Sequence, residues 1–258
     1  MLINYCKETD MVNTKSVKKD FVIYSVVTGG YDKILPVNIV DELCDYYIIS
    51  NEKIDLPYPW KLLLPDNRGL GNKDFNRFYK INPHLIFPDY TKSLYIDGNI
   101  ALHNKLYEWG SKHLDETGLA IYSHPERDNI FDEGRICSYI GTDYFWLIKR
   151  QLKNYKSQGF NANGLFEANI LLRKHNDAKV IDLMSIWWAE YINSKNAKRD
   201  QLALPYVLWR ADYPVKNLGQ SDARFEHLYF EYMPHVSNRH STFSTKIKKI
   251  INRTLGRL

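Results

Sequence analysis

Seven residues near the start of the chain, Phe21-Val22-Ile23-Tyr24-Ser25-Val26-Val27, form an almost unbroken apolar run. A strand of this kind has no polar face to give to water, so it needs cover on both sides. That requirement favours a sheet sandwiched between helices. The rest of the sequence supplies the parts. Strand-like runs recur at residues 45–50, 60–65, 93–100, 118–123 and 164–173. Helical patterns fall at 74–81, 105–114, 131–158, 180–193 and 202–209, with Gly159 closing the long third one. Strands that alternate with helices predict a single α/β domain with a mostly parallel central sheet flanked by helices.

Composition narrows the class. Of 258 residues, 44% are hydrophobic and 25% charged, which excludes a disordered chain. No run of about 18 apolar residues exists, so no spanning helix is expected. Residues 1–19 read as a polar leader without the apolar core of a signal peptide. Cys6, Cys44 and Cys137 are too few and too scattered for a disulfide framework, so a reducing cytoplasm is expected. The net charge of +5 is unevenly placed. Residues 239–258 hold six basic side chains and no acidic one, and removing them leaves 29 basic against 30 acidic. A neutral body argues against nucleic acid as partner.

Polar residues gather at the strand ends, where open α/β sheets bind ligands. In Ser93-Leu94-Tyr95-Ile96-Asp97-Gly98-Asn99 a strand ends in a turn that carries two oxygen-bearing side chains. Asp97 and Asn99 are candidates for a hard divalent cation, Mn²⁺ or Mg²⁺; an ordinary Asp-Gly turn is the plain alternative. The first strand ends in Thr28-Gly29-Gly30-Tyr31-Asp32, which is neither a dinucleotide fingerprint nor a P-loop. Arg77 and Lys80 share a helix face and suit a phosphate, or a solvated surface pair. His124-Pro125-Glu126-Arg127 follows another strand, and Glu167 interrupts an apolar one. Asp200 stands at a helix start, where it is either functional or only a cap.

Taken in order, the turn at 28–32, Arg77-x-x-Lys80-x-x-Pro83-His84, Asp97-Gly98-Asn99, His124-Pro125-x-Arg127, Gly164-Leu165-x-Glu167, Arg173, Trp188 and Arg199-Asp200-Gln201 form a familiar set. Over roughly residues 20–212 the chain resembles a family of GT-A-like glycosyltransferases long known only as a domain of unknown function. Its bacterial members lie in capsule and lipopolysaccharide gene clusters, and its plant members are linked to mucilage and pollen tubes.

The resemblance implies a GT-A-like domain over 20–238. It also implies a nucleotide-diphospho-sugar donor, UDP-linked for preference, and a glycan or lipid-linked acceptor. On this reading Thr28, Tyr31, Asp32, Arg77, Lys80 and Asp97 bind the donor, and Asp97 and Asn99 hold the cation, although Asn99 replaces the second carboxylate. His124, Arg127 and Arg173 face the acceptor. Asp200, then Glu167, act at the reaction centre. Two other readings stay open: a nucleotidyltransferase, which would want a Lys or Arg in the 28–32 turn, and a non-catalytic carbohydrate binder using the chain's 19 Tyr and 6 Trp.

The tail, residues 239–258, adds one expectation. Phe243, Ile247, Ile250, Ile251, Leu255 and Leu258 recur at helical spacing, with Lys246, Lys249, Arg253 and Arg257 largely on the other sides. A basic amphipathic helix of this form suits the anionic inner leaflet of the plasma membrane; packing on its own domain or on a second subunit is the alternative.

Overall fold

The structure is a computed structural model that describes residues 19–30, 32–114, 116–161, 164–234 and 243–256. The apolar run becomes β1 (Phe21–Val26), and all six of its residues are buried. On one side β1 pairs in parallel with β2 (Cys44–Ile49), which pairs in parallel with the short β3 (Lys61–Leu63). On the other it pairs in parallel with β4 (Lys92–Ile96), Phe21 facing Lys92. Next comes β7 (Phe166–Arg173), antiparallel to β4 and to β6 (Leu119–Ser123), with the two-residue β8 (Lys216–Asn217) at the edge, parallel to β6. The sheet order is β3-β2-β1-β4-β7-β6-β8, and β7 is its one reversed strand. A small second sheet joins β5 (Ile100–Leu102) to β9 (Phe230–Tyr232).

Both faces are covered, as β1 demanded. Val22, Tyr24 and Val26 point into a cluster with Phe75, Phe78, Leu183, Trp187 and Tyr206. These come from α1 (Asn72–Ile81), α5 (Ala178–Ile192) and α6 (Asp200–Arg210). Phe21 and Ile23 point the other way, against Trp60, Leu106, Trp109 and Phe230. That face is covered by α2 (Tyr107–His113). The period-two alternation along β1 therefore serves two cores rather than a core and solvent.

The long helix expected at 131–158 is two helices, α3 (Ile130–Ile140) and α4 (Phe145–Ser157). Gly141 breaks it. Its φ of 78° lies in the left-handed region that favours glycine, and its N–H bonds back to the carbonyls of Cys137 and Ser138. A Cβ at Gly141 would stand 2.8 Å from the carbonyl oxygen of Thr245. That oxygen belongs to α7 (Phe243–Leu255), which lies across α3. One glycine thus allows both the turn and the docking of the last helix.

The reversal of β7 also moves one expected site residue. Glu167 lies at the strand end that meets the C-terminal lip of β4, and Arg173 lies at the far end, opposite Ser93. Six steps along the strand set them about 20 Å apart. Arg173 is fully buried; it donates to the Tyr24 hydroxyl at 2.5 Å and to the Ile81 carbonyl at 3.5 Å. It is a core cation and does not reach an acceptor at the lip.

Candidate active site

Four elements converge at the β4 lip. Asp97 follows β4 directly, and its N–H donates to the Asn169 carbonyl at 2.8 Å, fixing the start of β7 beside it. There β7 slips past β6: Ile121 pairs with Leu171 but the next residue, Tyr122, pairs with Glu167. Bulges of this kind re-aim side chains, and this one turns Glu167 and Asn169 into a cleft of about 320 Å³. Arg77 and Lys80 enter from α1, Asp200 from the first turn of α6, and His124 and Arg127 from the end of β6. The volume is that of a small-molecule site.

Asp200 organises the cationic side. It is buried, 2.8 Å from Lys80 Nζ and 3.0 Å from Arg77 Nε, the latter off the hydrogen-bonding direction. Burial alone would push its carboxyl up. The pull of Arg77, then of Lys80 and Arg199, outweighs burial and holds it well below the usual carboxylate range. Burial pulls the Lys80 ammonium down, opposed by Asp200 and Asp97. Its 2% exposed side chain makes it a buried counter-charge rather than a surface cation. Asp200 is the first residue of α6 rather than its N-cap, which is Arg199, and its carboxylate accepts from Lys80 Nζ. A carboxylate held this firmly ionised is a weak base. In this arrangement it holds the Arg77 guanidinium and the Lys80 ammonium in place.

Glu167 is different. Its Oε1 accepts from Arg224 Nε at 2.6 Å and also meets Arg224 Nη2, while its buried Oε2 has no hydrogen-bond partner among the described residues. Both side-chain atoms of the neighbouring Asn169 are likewise buried and unpartnered there. Buried polar atoms of this sort are normally satisfied, so an open set of them at one cleft points to a ligand. His124 fits a base less well. Its Nδ1 accepts from the backbone N–H of Glu126 and Arg127, which places the ring proton on Nε2. Burial lowers its pKa as well. Arg127 is anchored on Glu133, with Nε 2.8 Å from Oε2.

The donor-side residues are arranged unevenly. Asp97 accepts from the Tyr95 hydroxyl at 2.6 Å and lies 3.9 Å from Lys80, with its side chain 34% exposed. The Asn99 amide donates to the Met233 carbonyl at 2.8 Å. Asp32 lies across the turn: a Cβ on Gly98 would come within 3.1 Å of its Oδ2. Thr28 is tied through its hydroxyl to the Asn72 carbonyl at 3.3 Å. Tyr31 falls outside the described residues. Among the described residues no cluster of three or more His, Cys, Asp or Glu could hold a metal unaided. The oxygen-bearing side chains of this turn are Asp97, which is partly exposed, and Asn99, which is buried with its amide nitrogen committed to Met233.

With this geometry in place, the family follows. Residues 59–232 match the TOD1/MUCI70 glycosyltransferase-like domain. The chain belongs to that family. The match takes in Arg77, Lys80, Asp97, Glu167, Asp200 and Arg224, and it starts after β2, so the 28–32 turn lies outside it. Among solved structures, the apo form of mouse xyloside xylosyltransferase 1 is similar over 77% of this chain and 84% of its own, at 8% identity and a TM-score of 0.42. No curated protein matches. Family membership makes the chain a glycosyltransferase and sets aside the nucleotidyltransferase and the non-catalytic binder. Arg199, Arg224, Asn169 and Glu133 were not among the expected site residues. The first stood inside a motif already noted, in Arg199-Asp200-Gln201. Arg224 lies in a stretch with no helical or strand period, so no local signal marked it.

Proposed function

We propose that the cleft transfers a glycosyl group from a nucleotide-diphospho-sugar, UDP-linked for preference, to a hydroxyl of a glycan or lipid-linked acceptor. We further propose that the acceptor belongs to surface polysaccharide synthesis of the capsule or lipopolysaccharide type, the setting of the bacterial relatives that the chain resembles. The observation that carries the reading is the open, buried Oε2 of Glu167 in a cleft also lined by Arg77, Lys80 and Arg199.

In this reading the acceptor hydroxyl gives its proton to Glu167 Oε2. Its oxygen bonds to the anomeric carbon, and the bond from that carbon to the diphosphate breaks with its electron pair leaving on the phosphate. Arg224 holds Glu167 in position through Oε1. Arg77 and Arg199, with side chains 21% and 34% exposed, meet the charge that builds on the leaving group, and Asp200 and Lys80 hold the row behind them. A divalent cation on Asp97 and Asn99 would add Lewis-acid stabilisation of the same charge. His124 and Arg127 line the same cleft, Arg127 on the Glu133 carboxylate that Arg199 also approaches, and would meet the acceptor.

Thermal shift with a panel of nucleotide sugars, with and without Mn²⁺, tests this. At least one nucleoside-diphosphate sugar should raise the melting temperature, and Arg77→Ala should reduce the rise at the same donor concentration. Stabilisation by nucleoside triphosphates alone, or by free glycans alone, would contradict it.

A further inference from the structure

Among its described residues the last helix is anchored on the domain by its polar side, and part of its apolar stripe is left exposed. The side of α7 that meets the domain carries Thr245, Lys248, Lys249, Asn252 and Gly256, spaced three, one, three and four residues apart. Asn252 is its anchor. It is 3% exposed, donates to the carbonyls of Ser138 and Asp143 at 2.9 and 2.8 Å, and accepts from the Phe145 N–H at 2.9 Å. Lys248 adds an ion pair with Asp143 at 3.5 Å. A helix bound by its polar side turns its aliphatic side outward. Ile250 is 63% and Leu255 71% exposed, with Ile247 and Ile251 half-buried beside them.

The outward stripe adjoins a second exposed apolar row. On α3, Ile136, Tyr139 and Ile140 are exposed at 39%, 58% and 45% and share one helix face. Arg253 of α7 lies 4.3 Å over the Tyr139 ring, which joins the two rows. Ile136 and Ile140 also line the active-site cleft. Trp146, at the start of α4, is 44% exposed and stacked on Tyr144, whose ring faces Lys248 at 5.3 Å. Contiguous exposed apolar surface with a polar rim marks an interaction face. On α7 the flanking charges are basic, Lys246 and Arg253, and residues 239–258 contain no acid; on α3 the charge of Asp132 is neutralised by its ion pair with Arg135.

We infer that the α3–α7 face docks on an anionic membrane and so brings the mouth of the cleft to the lipid surface. Apolar side chains enter the headgroup boundary while the flanking cations meet lipid phosphates. No helix among the described residues is long and apolar enough to cross a membrane. The consequence for the acceptor, that it is held at the lipid surface, rests on the transferase reading; the docking itself does not.

The test is co-sedimentation of the full chain with vesicles of phosphatidylcholine containing about one third phosphatidylglycerol, against pure phosphatidylcholine, at low salt. The full chain should pellet with the anionic vesicles. Exchanging both Ile250→Ser and Leu255→Ser should lower the partition by on the order of a hundredfold, tenfold for each side chain removed from the boundary. Lys246→Gln with Arg253→Gln should lower it by about thirtyfold, and added salt should lower that of the wild type. These positions are exposed and outside the cleft, so melting temperature and donor turnover in vesicle-free solution should stay unchanged. That separates failure of the docking from failure of the transferase reading. The inference is overturned if the full chain stays in solution with anionic vesicles, or if both double variants pellet like the wild type. It is equally overturned if the aliphatic pair leaves vesicle binding intact but turns a dimer into a monomer, for the face would then belong to a second copy.

Discussion

Two isosteric changes separate the two buried carboxylates. Asp200→Asn keeps the shape but removes the charge that stands 2.8 Å from Lys80 and 3.0 Å from Arg77. Lys80 is then left with Asp97 at 3.9 Å as its acidic neighbour. Breaking a buried ion pair costs about 3–5 kcal/mol, and the retained amide oxygen still accepts from Lys80, so the lower end, about 3 kcal/mol, is expected. For a chain of this size that lowers the melting temperature by roughly 10 °C. Glu167→Gln leaves Oε1 free to accept from Arg224 as before, so stability should change by less than about 1 kcal/mol. What it removes is the proton acceptor, and the transfer rate should fall about 10²- to 10⁴-fold. Calorimetry gives the stabilities, and nucleoside diphosphate release, measured well below the lower melting point, gives the rates. Near-normal turnover in Glu167→Gln together with a dead but folded Asp200→Asn would refute the reasoning and return the proton to Asp200.

Three further outcomes follow from the same geometry. Arg77→Ala should weaken nucleoside diphosphate binding by on the order of tenfold, because a charge-assisted bond is worth about 1.5–3 kcal/mol, and titration calorimetry reads it. Asp97→Ala should keep the fold, since its side chain is 34% exposed, and should lose the metal dependence of nucleoside diphosphate affinity in a Mn²⁺ titration; an unchanged dependence would take the cation away from this turn. His175 is 1% exposed and its ring meets the Phe87 carbonyl at 2.9 Å; burial first of all lowers its pKa from 6.5 to about 4. Between these values the unfolded chain binds the proton and the folded chain does not, so His175 makes stability fall as pH drops from about 6.5 to about 4, by roughly 3 kcal/mol. Urea melts should show that slope, and His175→Gln should flatten it.

The sheet was legible because its strands advertise themselves. Phe21–Val26 is apolar throughout, and the strand ends carry the polar residues that later line the cleft. Arg77 and Lys80 were legible as a pair from their spacing. Their partner was not, because Asp200 lies 120 residues beyond Lys80 and nothing local links them. That missing link changed their meaning from a free phosphate clamp to cations already held by an anion. Arg173 was misplaced for a topological reason: whether a strand runs with or against its neighbours leaves no mark on its own composition. The break at Gly141 did carry a signal, since a glycine after eleven helical residues reads as a cap. The apolar residues of α3 and α4 on either side masked it. The tail was legible as an amphipathic helix but not in which side it docks, because Asn252 finds its three partners on the α3–α4 turn.

The central claim is that this cleft breaks the bond between a sugar and a nucleoside diphosphate. A time course of nucleoside diphosphate release from a panel of nucleotide sugars, with Mn²⁺ and a mixed glycan acceptor pool, tests it most directly. The wild type should release the nucleoside diphosphate from at least one donor, and Glu167→Gln should not. No release from any donor by a folded wild type, or equal release by both proteins, would contradict the account.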